Sequence, residues 1–488
     1  MRGRNRTRTS LKQLYLGKGE VMKSQLTTAA SAAILSVSAW AAGAPAAWAA
    51  SDPGVRGGNP GVGGAIPGLS ADQSTLFSYG LASFAEVEQI GEGLGPRFNL
   101  DSCAGCHAQP NPGGSSPAVN PQVEVATAFG ARNTVPSFIT ANGPVREARF
   151  KLTSAGARDG GVHALWVTSG RIDTSGSATG CTIVQDDFNG QFARGNVAMR
   201  VPTPTYGNGL IESIPDAALI ASLAANSNRK SNLGIGGHFN HSGNDGTISR
   251  FGWKAQNSSL MVFSGEAYNV EMGISNEVFE IEREQNANCQ QAPVPNDISG
   301  KTGLSTADLT LSDVEKFAMF MRFLAPPTPS ANAPGGANSI ARGARQFDNI
   351  GCGLCHTASL TTSTTSVKAL SNQKVGLFSD LAVHRMGPKL ADNVLQGSAA
   401  GDEFRTAPLW GLGQRIFFLH DGRTSDLVQA IEAHASGGGG SNGGGRNSNS
   451  SGPTASGFGP SEANDVVGNF EDLNDGAKQD LLNFLRSL

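Results

Sequence analysis

The chain has 488 residues, of which 39% are hydrophobic and 16% are charged, and this length predicts two or three domains that can each bury a core. The 64 glycines and the low charge content exclude a coiled coil or a wholly disordered chain and predict a loop-rich globular protein. The formal net charge of −3, with no basic cluster beyond the first 25 residues, gives no reason to expect a nucleic-acid partner.

A basic N-terminus followed by an apolar run predicts a secretory signal peptide in residues 1–50. Basic side chains are spread between Arg2 and Lys23, an Ala-rich run covers residues 29–40, and residues 47–49 have the small-x-small pattern of a cleavage site. A permanent membrane anchor is the alternative, but the run is too short to span a bilayer, and no later stretch is long and apolar enough to do so. We therefore expect a periplasmic or secreted protein with no stable membrane span.

Composition divides the remaining chain into a lead-in and two domains. Residues 51–70 are rich in glycine and proline and predict a flexible lead-in. We expect an N-terminal domain over residues 71–326, a Pro/Ala/Gly linker, and a C-terminal domain over residues 337–488. Within the second domain, residues 436–460 are dominated by Gly, Ser and Asn and predict a disordered loop.

Each predicted domain ends on an amphipathic helix. Ser312 and Glu315 have the spacing of a capping box. A short helix over residues 339–347 is expected to lead into Cys352. Apolar residues recur on one face of the two terminal helices: Val314, Phe317, Met321 and Leu324 in the first, and Ala477, Leu481, Phe484, Leu485 and Leu488 in the second.

The pattern Cys-x-x-Cys-His occurs twice and predicts covalent haem. Two thiols three residues apart on one turn can form thioethers to both vinyl groups of a haem, and the adjacent imidazole is then held beneath the iron as its proximal ligand. We therefore predict two haem c groups, one on Cys103, Cys106 and His107 and the other on Cys352, Cys355 and His356.

Zinc binding and dithiol redox chemistry are the competing interpretations of these motifs. A zinc site built from cysteine pairs does not need a histidine directly after the second cysteine. A thioredoxin-like motif would need a βαβ context, which the sequence does not provide. A secreted chain is also where haem is attached covalently, so haem is favoured.

The other cysteines and histidines leave several assignments open. Cys181 and Cys289 are expected to form a disulfide in an oxidising compartment, with two free buried thiols as the alternative. His420 and His434 flank a short helical run over residues 427–433. A second axial ligand for the second haem should come from this half of the chain.

The two halves are similar in detail. The sequence RFGWKAQNSSL around Trp253 matches FFLHDGRTSDL around His420, and each marker residue stands seven positions before a leucine, Leu260 or Leu427. Upstream, MRVPTPTYGNG matches FRTAPLWGLG with one gap. An internal duplication is the simplest explanation.

Several phrases resemble the bacterial di-haem oxidoreductases, also called thiol oxidoreductases. They are GEGLGPRFNLDSCAGCH, GNGLIESIPDAAL, SRFGWKAQNSSL, LFSDLAVHRMGPKLAD and FRTAPLWGLGQRIFFLHDGRTSDLVQAIEAH. That group is similar to the di-haem cytochrome c peroxidases and to the di-haem enzyme that matures methylamine dehydrogenase. The similarity runs from about Phe84 to the C-terminus, apart from the Gly-rich loop. The thiol activity in the group's name has no support here, because haem consumes both Cys-x-x-Cys pairs.

The resemblance implies roles for three further residues. His434 stands where the peroxidases supply the second axial ligand of the C-terminal haem, and a histidine there implies bis-His ligation and a lower potential than His/Met. Trp253 matches the inter-haem tryptophan, and Glu271 matches the catalytic glutamate. A core aromatic and a helix-cap or surface carboxylate are the alternatives for these two. Met272 and Met386 are either core residues or axial ligands.

One departure from the peroxidases concerns the N-terminal haem. Residues 108–162 contain no histidine, whereas a histidine after the first motif caps this haem in the resting peroxidases. The N-terminal iron is therefore expected to be open, or capped by another residue, of which His163 is the nearest histidine.

Together these features predict a mainly α fold of two cytochrome c-like domains with long irregular loops. The resemblance implies that a periplasmic donor, such as a small cytochrome or a copper protein, reduces the C-terminal haem, and that the N-terminal haem reduces hydrogen peroxide or a related oxidant. It also implies a calcium ion between the domains. The alternatives are a pure electron carrier with both irons six-coordinate, and a high-valent-iron oxidase of a protein or organic substrate.

Overall fold

The computed structural model describes residues 49–299, 310–330, 332, 334–437 and 457–488. The predicted signal peptide, apart from its last two residues, and most of the predicted disordered loop lie outside these ranges, as do two positions of the predicted linker. Residues 48–488 form one compact unit. Within the described ranges, no helix is long and apolar enough to cross a membrane.

Helices are the main regular secondary structure of the described chain, and long irregular segments join them. Single turns of 3₁₀-helix cover Ile90–Glu92, Ala128–Gly130, Cys352–Leu354, Lys368–Leu370 and Leu412–Gln414. The α-helices are α1 Ala71–Phe84, α2 Cys103–Cys106, α3 Gln122–Val125, α4 Phe188–Ala193, α5 Asn208–Glu212, α6 Asp216–Ala224, α7 Ser227–Asn232, α8 Leu260–Met272, α9 Asp313–Phe323, α10 Gly336–Ile350, α11 Leu427–Glu432, α12 Asn464–Glu471 and α13 Asp475–Ser487.

The strands are short and pair only in small antiparallel sheets. The central three-stranded sheet has the order β3-β2-β5, and the remaining strands pair as β1 with β4, β6 with β7, and β8 with β9. Their bounds are β1 Arg97–Phe98, β2 Glu147–Phe150, β3 Val162–His163, β4 Trp166–Val167, β5 Val197–Arg200, β6 Leu360–Thr361, β7 Lys374–Val375, β8 Val383–Arg385 and β9 Glu403–Arg405.

Each half of the fold is built on a closely packed pair of helices. In the first half, α9 has the predicted capping box at Ser312, its predicted apolar face is buried, and it packs against α1. In the second half, α10 packs against the last helix, α13. Both crossings depend on a glycine, because a Cβ at Gly80 would collide with the carbonyl of Lys316, and one at Gly343 with that of Asp480. An alanine at either position would separate the pair, which typically costs about 1–3 kcal/mol.

A disulfide closes a long loop in the first half. Cys181 and Cys289 are bonded and lie 108 positions apart, so the expectation of a disulfide is confirmed. The loop contains Trp253 and also α8, which carries Glu271. The four motif cysteines are not paired with one another.

The two repeat markers lie in equivalent local structures and contact each other. An isolated bridge joins Phe251 to Asn257 in one half and Phe418 to Thr424 in the other, and α8 and α11 begin at the two leucines of the repeat. The rings of Trp253 and His420 meet edge to face, with centroids 6.3 Å apart. This local likeness supports the predicted duplication, which stays a prediction.

Candidate haem-binding and catalytic site

The first Cys-x-x-Cys-His motif presents a neutral imidazole beside a cavity. Cys103 and Cys106 occupy the single turn of α2, and His107 follows directly. Nδ1 of His107 lies 2.9 Å from the carbonyl oxygen of Gly114, so Nδ1 carries the proton and Nε2 is the nitrogen that can bind a metal. Burial lowers the pKa of His107 to about 4, which keeps the ring in its ligand form.

The second motif repeats this arrangement. Cys352 begins a 3₁₀ turn, and Nδ1 of His356 lies 3.0 Å from the carbonyl oxygen of Phe378. Burial, and then the nearby His434, lower the pKa of His356 to about 4. Each motif therefore combines two unpaired thiols with one oriented neutral imidazole.

The cavities beside the motifs fit haem better than zinc. The motif residues line two cavities with mainly apolar walls, as a macrocycle requires. In the first cavity, Asn99 Nδ2, Ser264 Oγ and Gln256 Oε1 have no hydrogen-bond partner among the described residues. These atoms are therefore available for hydrogen bonds to a bound group. Within the described ranges, one cluster has the composition of a metal site, and it consists of Cys355, Asp380 and His384. It contains only one of the two motif cysteines, whereas a zinc site built from a cysteine pair would use both. Below, the N-terminal cavity is the one beside Cys103, and the C-terminal cavity is the one beside Cys352.

His434 presents a second neutral imidazole to the C-terminal cavity. It follows α11 and lines this cavity together with His356. Its Nδ1 lies 2.7 Å from the carbonyl oxygen of Ala430, so Nε2 is again the nitrogen that can bind iron. Burial lowers the pKa of His434, which favours the neutral form. Met386 also lines the cavity.

His384 is committed to two carboxylates. Its Nδ1 lies 2.8 Å from Glu462 Oε2 and its Nε2 lies 3.1 Å from Asp380 Oδ2. A ring bonded on both nitrogens cannot bind iron without losing one of these bonds.

His420, in contrast, is buried, stacks on Phe404 at 4.3 Å and has its pKa lowered to about 4 by burial.

Glu271 lines the N-terminal cavity. It is the penultimate residue of α8, and this helix begins where the Ser259 side chain accepts a hydrogen bond from the backbone of Val262 and ends at Gly273 with φ of 74°. No hydrogen bond to its carboxyl group is found within the described ranges. Burial, followed by the charges of Glu147 and Glu266, raises its pKa from 4.5 to about 8.

Other charged and sulfur-containing groups share this wall. Glu147 and Arg149 alternate on β2, so their side chains leave the same face of the strand, and Arg149 Nε donates to Glu147 Oε1 at 2.7 Å. Met272 Sδ lies 3.8 Å from Cys103 Sγ. His163 does not line the cavity: it stacks on Phe150 and bonds to two aspartates outside the cavity, Asp159 and Asp186.

Trp253 lies between the two cavities. It lines both of them, and also a small third cavity that shares some of its other walls with each. Its Nε1 donates to the carbonyl of Val201 at 2.8 Å. Backbone hydrogen bonds cross between the halves in both directions, from Val201 to His420 at 2.7 Å and from Arg405 to Trp253 at 2.9 Å. These reciprocal bonds fix Trp253 between the cavities.

Sequence reasoning did not identify several charged residues of the site. They are Glu147, Arg149, Arg200 and Glu266 in the N-terminal cavity and Arg405 and Arg415 in the C-terminal cavity. The two-residue spacing of Glu147 and Arg149, which places both on one face of a strand, was a signal that could have identified these two residues. Both arginines of the second cavity lie within FRTAPLWGLGQR, which is part of a phrase that carries the family resemblance.

Two oriented Cys-x-x-Cys-His motifs on separate cavities define a di-haem c-type cytochrome. The family model described as "Di-haem oxidoreductase, putative peroxidase" matches residues 168–445, which is more than half of the chain. The protein belongs to this family of di-haem oxidoreductases. The matched range contains Trp253, Glu271, the second motif and His434, and it begins after the first motif.

Solved structures show weaker likenesses. A MauG-like protein associated with microbial copper homeostasis has 16% identity and a TM-score of 0.27, with 59% of this chain and 90% of that chain covered. The diheme peroxidase BthA from Burkholderia thailandensis has 14% identity and a TM-score of 0.28, with coverage of 59% and 86%. Hydrazine synthase from Kuenenia stuttgartiensis has 17% identity, a TM-score of 0.21 and coverage of 36% and 55%, so the chain spans about half of that protein. Comparison with curated proteins finds no match.

Proposed function

We propose that the protein is a periplasmic di-haem peroxidase. A donor such as a small cytochrome or a copper protein delivers electrons at the C-terminal haem, and hydrogen peroxide or a related oxidant is reduced at the N-terminal haem. Each hydrogen peroxide takes up two electrons and two protons and yields two waters. The haems, when bound, supply the electron transfer and the iron that binds the oxidant, and the chain supplies proton transfer, spacing and ligands.

The position of Glu271 is the observation that carries this proposal. A half-buried carboxyl without a hydrogen-bond partner in the described ranges, and with a pKa raised to about 8, is typical of an acid–base group. It lines the same cavity as His107. Its task is to accept the proton of the oxygen that stays at the site and to return it to the oxygen that leaves.

The two cavities differ in the histidines that line them, and this difference supports different roles for them. The C-terminal cavity holds two neutral histidines, His356 and His434, which suit a six-coordinate electron-transfer site. In the N-terminal cavity, His107 is the one histidine among the described lining residues. A haem held by His107 would therefore have no second histidine ligand, and a small oxidant would bind there. Trp253, which lines both cavities, is the proposed route between them.

The calcium ion implied by the resemblance stays a prediction. Calcium takes six to eight oxygen ligands. The metal-type cluster found in the described ranges has a thiol, an imidazole and a carboxylate, from Cys355, His384 and Asp380. At the contact between the halves, Lys254 Nζ donates to the carbonyls of Ala400 and Glu403 at 2.6 and 2.7 Å.

An optical spectrum and a turnover assay on the purified holoprotein test the function. We expect high-spin bands from one haem and low-spin bands from the other, together with peroxide-dependent oxidation of a reduced small cytochrome. Two low-spin haems without any reaction with peroxide would instead indicate an electron carrier. Oxidation of an organic substrate at the expense of peroxide, without use of a cytochrome donor, would indicate the oxidase alternative.

A further inference from the structure

Two arginines in the C-terminal cavity have no anionic partner. Arg405 is 8% exposed, its Nη1 donates to the carbonyl of Arg250 at 2.9 Å, and its Nε has no partner in the described chain. Arg415 is half-buried, and no hydrogen bond or ion pair of its guanidinium is found among the described residues. Both line the C-terminal cavity and the small third cavity next to Trp253.

Apart from Arg56, which donates to the carbonyl of Thr328, the other buried arginines of the described chain pair with carboxylates. The examples are Arg171 with Asp101, Arg200 with Asp392, and Arg486 with Asp52. A buried guanidinium without a counter-ion is costly, because desolvation is not compensated. The cost is larger here because Arg405 and Arg415 are close enough to repel each other. Burial lowers the pKa of each to about 10, so both remain charged at neutral pH.

The described walls of the C-terminal cavity hold no spare carboxylate for these charges. Glu462 is the acidic residue among them. Its Oε2 accepts hydrogen bonds from His384 and from the backbone of Gly236, and its Oε1 accepts one from the backbone of Arg385. An anion bound in the cavity would therefore supply the compensating charge. A haem carries two propionate carboxylates, and guanidinium groups bind carboxylates in a bidentate manner.

We propose that Arg405 and Arg415 bind the propionates of the haem attached at Cys352 and Cys355. Both arginines lie on the wall shared with the third cavity, so the propionate edge of this haem is held on the side of Trp253. The backbone N–H of Arg405 donates to the carbonyl of Trp253 at 2.9 Å, which joins the propionate anchor to the proposed electron route. The proposal rests on haem attachment at the second motif and is independent of peroxidase activity.

The test uses Arg405→Gln and Arg415→Gln in the full-length holoprotein, measured on the haem-containing fraction. Loss of a positive charge beside a haem disfavours reduction, so the midpoint potential of the low-spin, C-terminal haem should fall. Its propionate bending band in the resonance Raman spectrum should shift. The N-terminal haem should keep its potential and its bands.

Lysine variants and a surface variant are the controls. Arg405→Lys and Arg415→Lys keep the charge but lose the planar fork, so the potential should return toward wild type while the propionate band remains shifted. Arg423→Gln removes one arginine charge from the same half at a surface position paired with Asp421, and it should change neither signal. The proposal is wrong if the glutamine variants behave like Arg423→Gln, or if the N-terminal haem responds instead of the C-terminal one. If the glutamine variants do not fold, the lysine variants test the proposal, because an unshifted propionate band in them would also contradict it.

Discussion

Glu271 is the residue on which the proposed proton transfer depends, and its raised pKa allows a quantitative prediction. With a pKa of about 8, roughly one glutamate in ten is ionised at pH 7. The carboxylate is the form that accepts a proton, so wild-type peroxide turnover should rise about tenfold between pH 7 and its plateau above the pKa. A positioned base contributes roughly 10²–10⁴-fold to such a transfer. Glu271→Gln should therefore lose about 10²–10⁴-fold on the plateau and at least about tenfold at pH 7.

Steady-state oxidation of a reduced donor by peroxide, followed from pH 6 to pH 10, measures both effects. Glutamine keeps the shape of the side chain, so haem content and resting spectra should match those of wild type. Glu282→Gln is the matched control, because Glu282 is also buried and has a pKa raised to about 7, but it lines neither haem cavity. Unchanged turnover in Glu271→Gln, or a rise with pH that persists in this variant, would refute the assigned role.

Three further predictions concern the haems and the route between them. Replacing Cys352 and Cys355 by alanine should halve the haem content in a pyridine haemochrome assay and leave one covalent haem on a denaturing gel, and a full haem count would contradict attachment there. His434→Ala should convert the low-spin haem to a high-spin form in the optical spectrum, whereas His420→Ala should keep it low-spin; an unchanged spectrum in His434→Ala would move the ligand elsewhere. Trp253→Phe should slow electron transfer between the haems in stopped-flow experiments at unchanged haem content, and an unchanged rate would exclude it from the route.

The parts of the fold that depend on local pattern were predictable from the sequence. The capping box at Ser312 and the apolar face that follows it define α9 as observed. The spacing of Cys and His within each motif is a local property, and so is the seven-residue offset that places Trp253 and His420 before their helices. The helix expected over residues 339–347 extends from Gly336 to Ile350. Its ends were missed because both flanking residues are glycines in the left-handed region, which carry no side-chain cap.

The walls of the cavities were not predictable, because they are assembled from distant segments. Glu147 on β2, Glu266 on α8 and Arg200 on β5 meet in the N-terminal cavity only after the strands pair in one register. Nothing in the local sequence distinguishes Arg200, which is neutralised by a carboxylate more than 190 positions away, from Arg405, which is not. Such a difference depends on tertiary contacts alone.

Maturation of this chain requires opposite treatments of its thiols. Cys181 and Cys289 must be oxidised, whereas the thiols of the two motifs must stay reduced until haem is attached. Loop length alone does not favour the native pairing. Cys106 lies 75 positions before Cys181, whereas the native partner of Cys181, Cys289, lies 108 positions away. The shorter, non-native loop is even favoured by about 0.3 kcal/mol of closure entropy. We therefore expect that a host which oxidises exported thiols faster than it attaches haem will accumulate cross-linked protein without haem, and that the yield of holoprotein depends on the balance between these two activities.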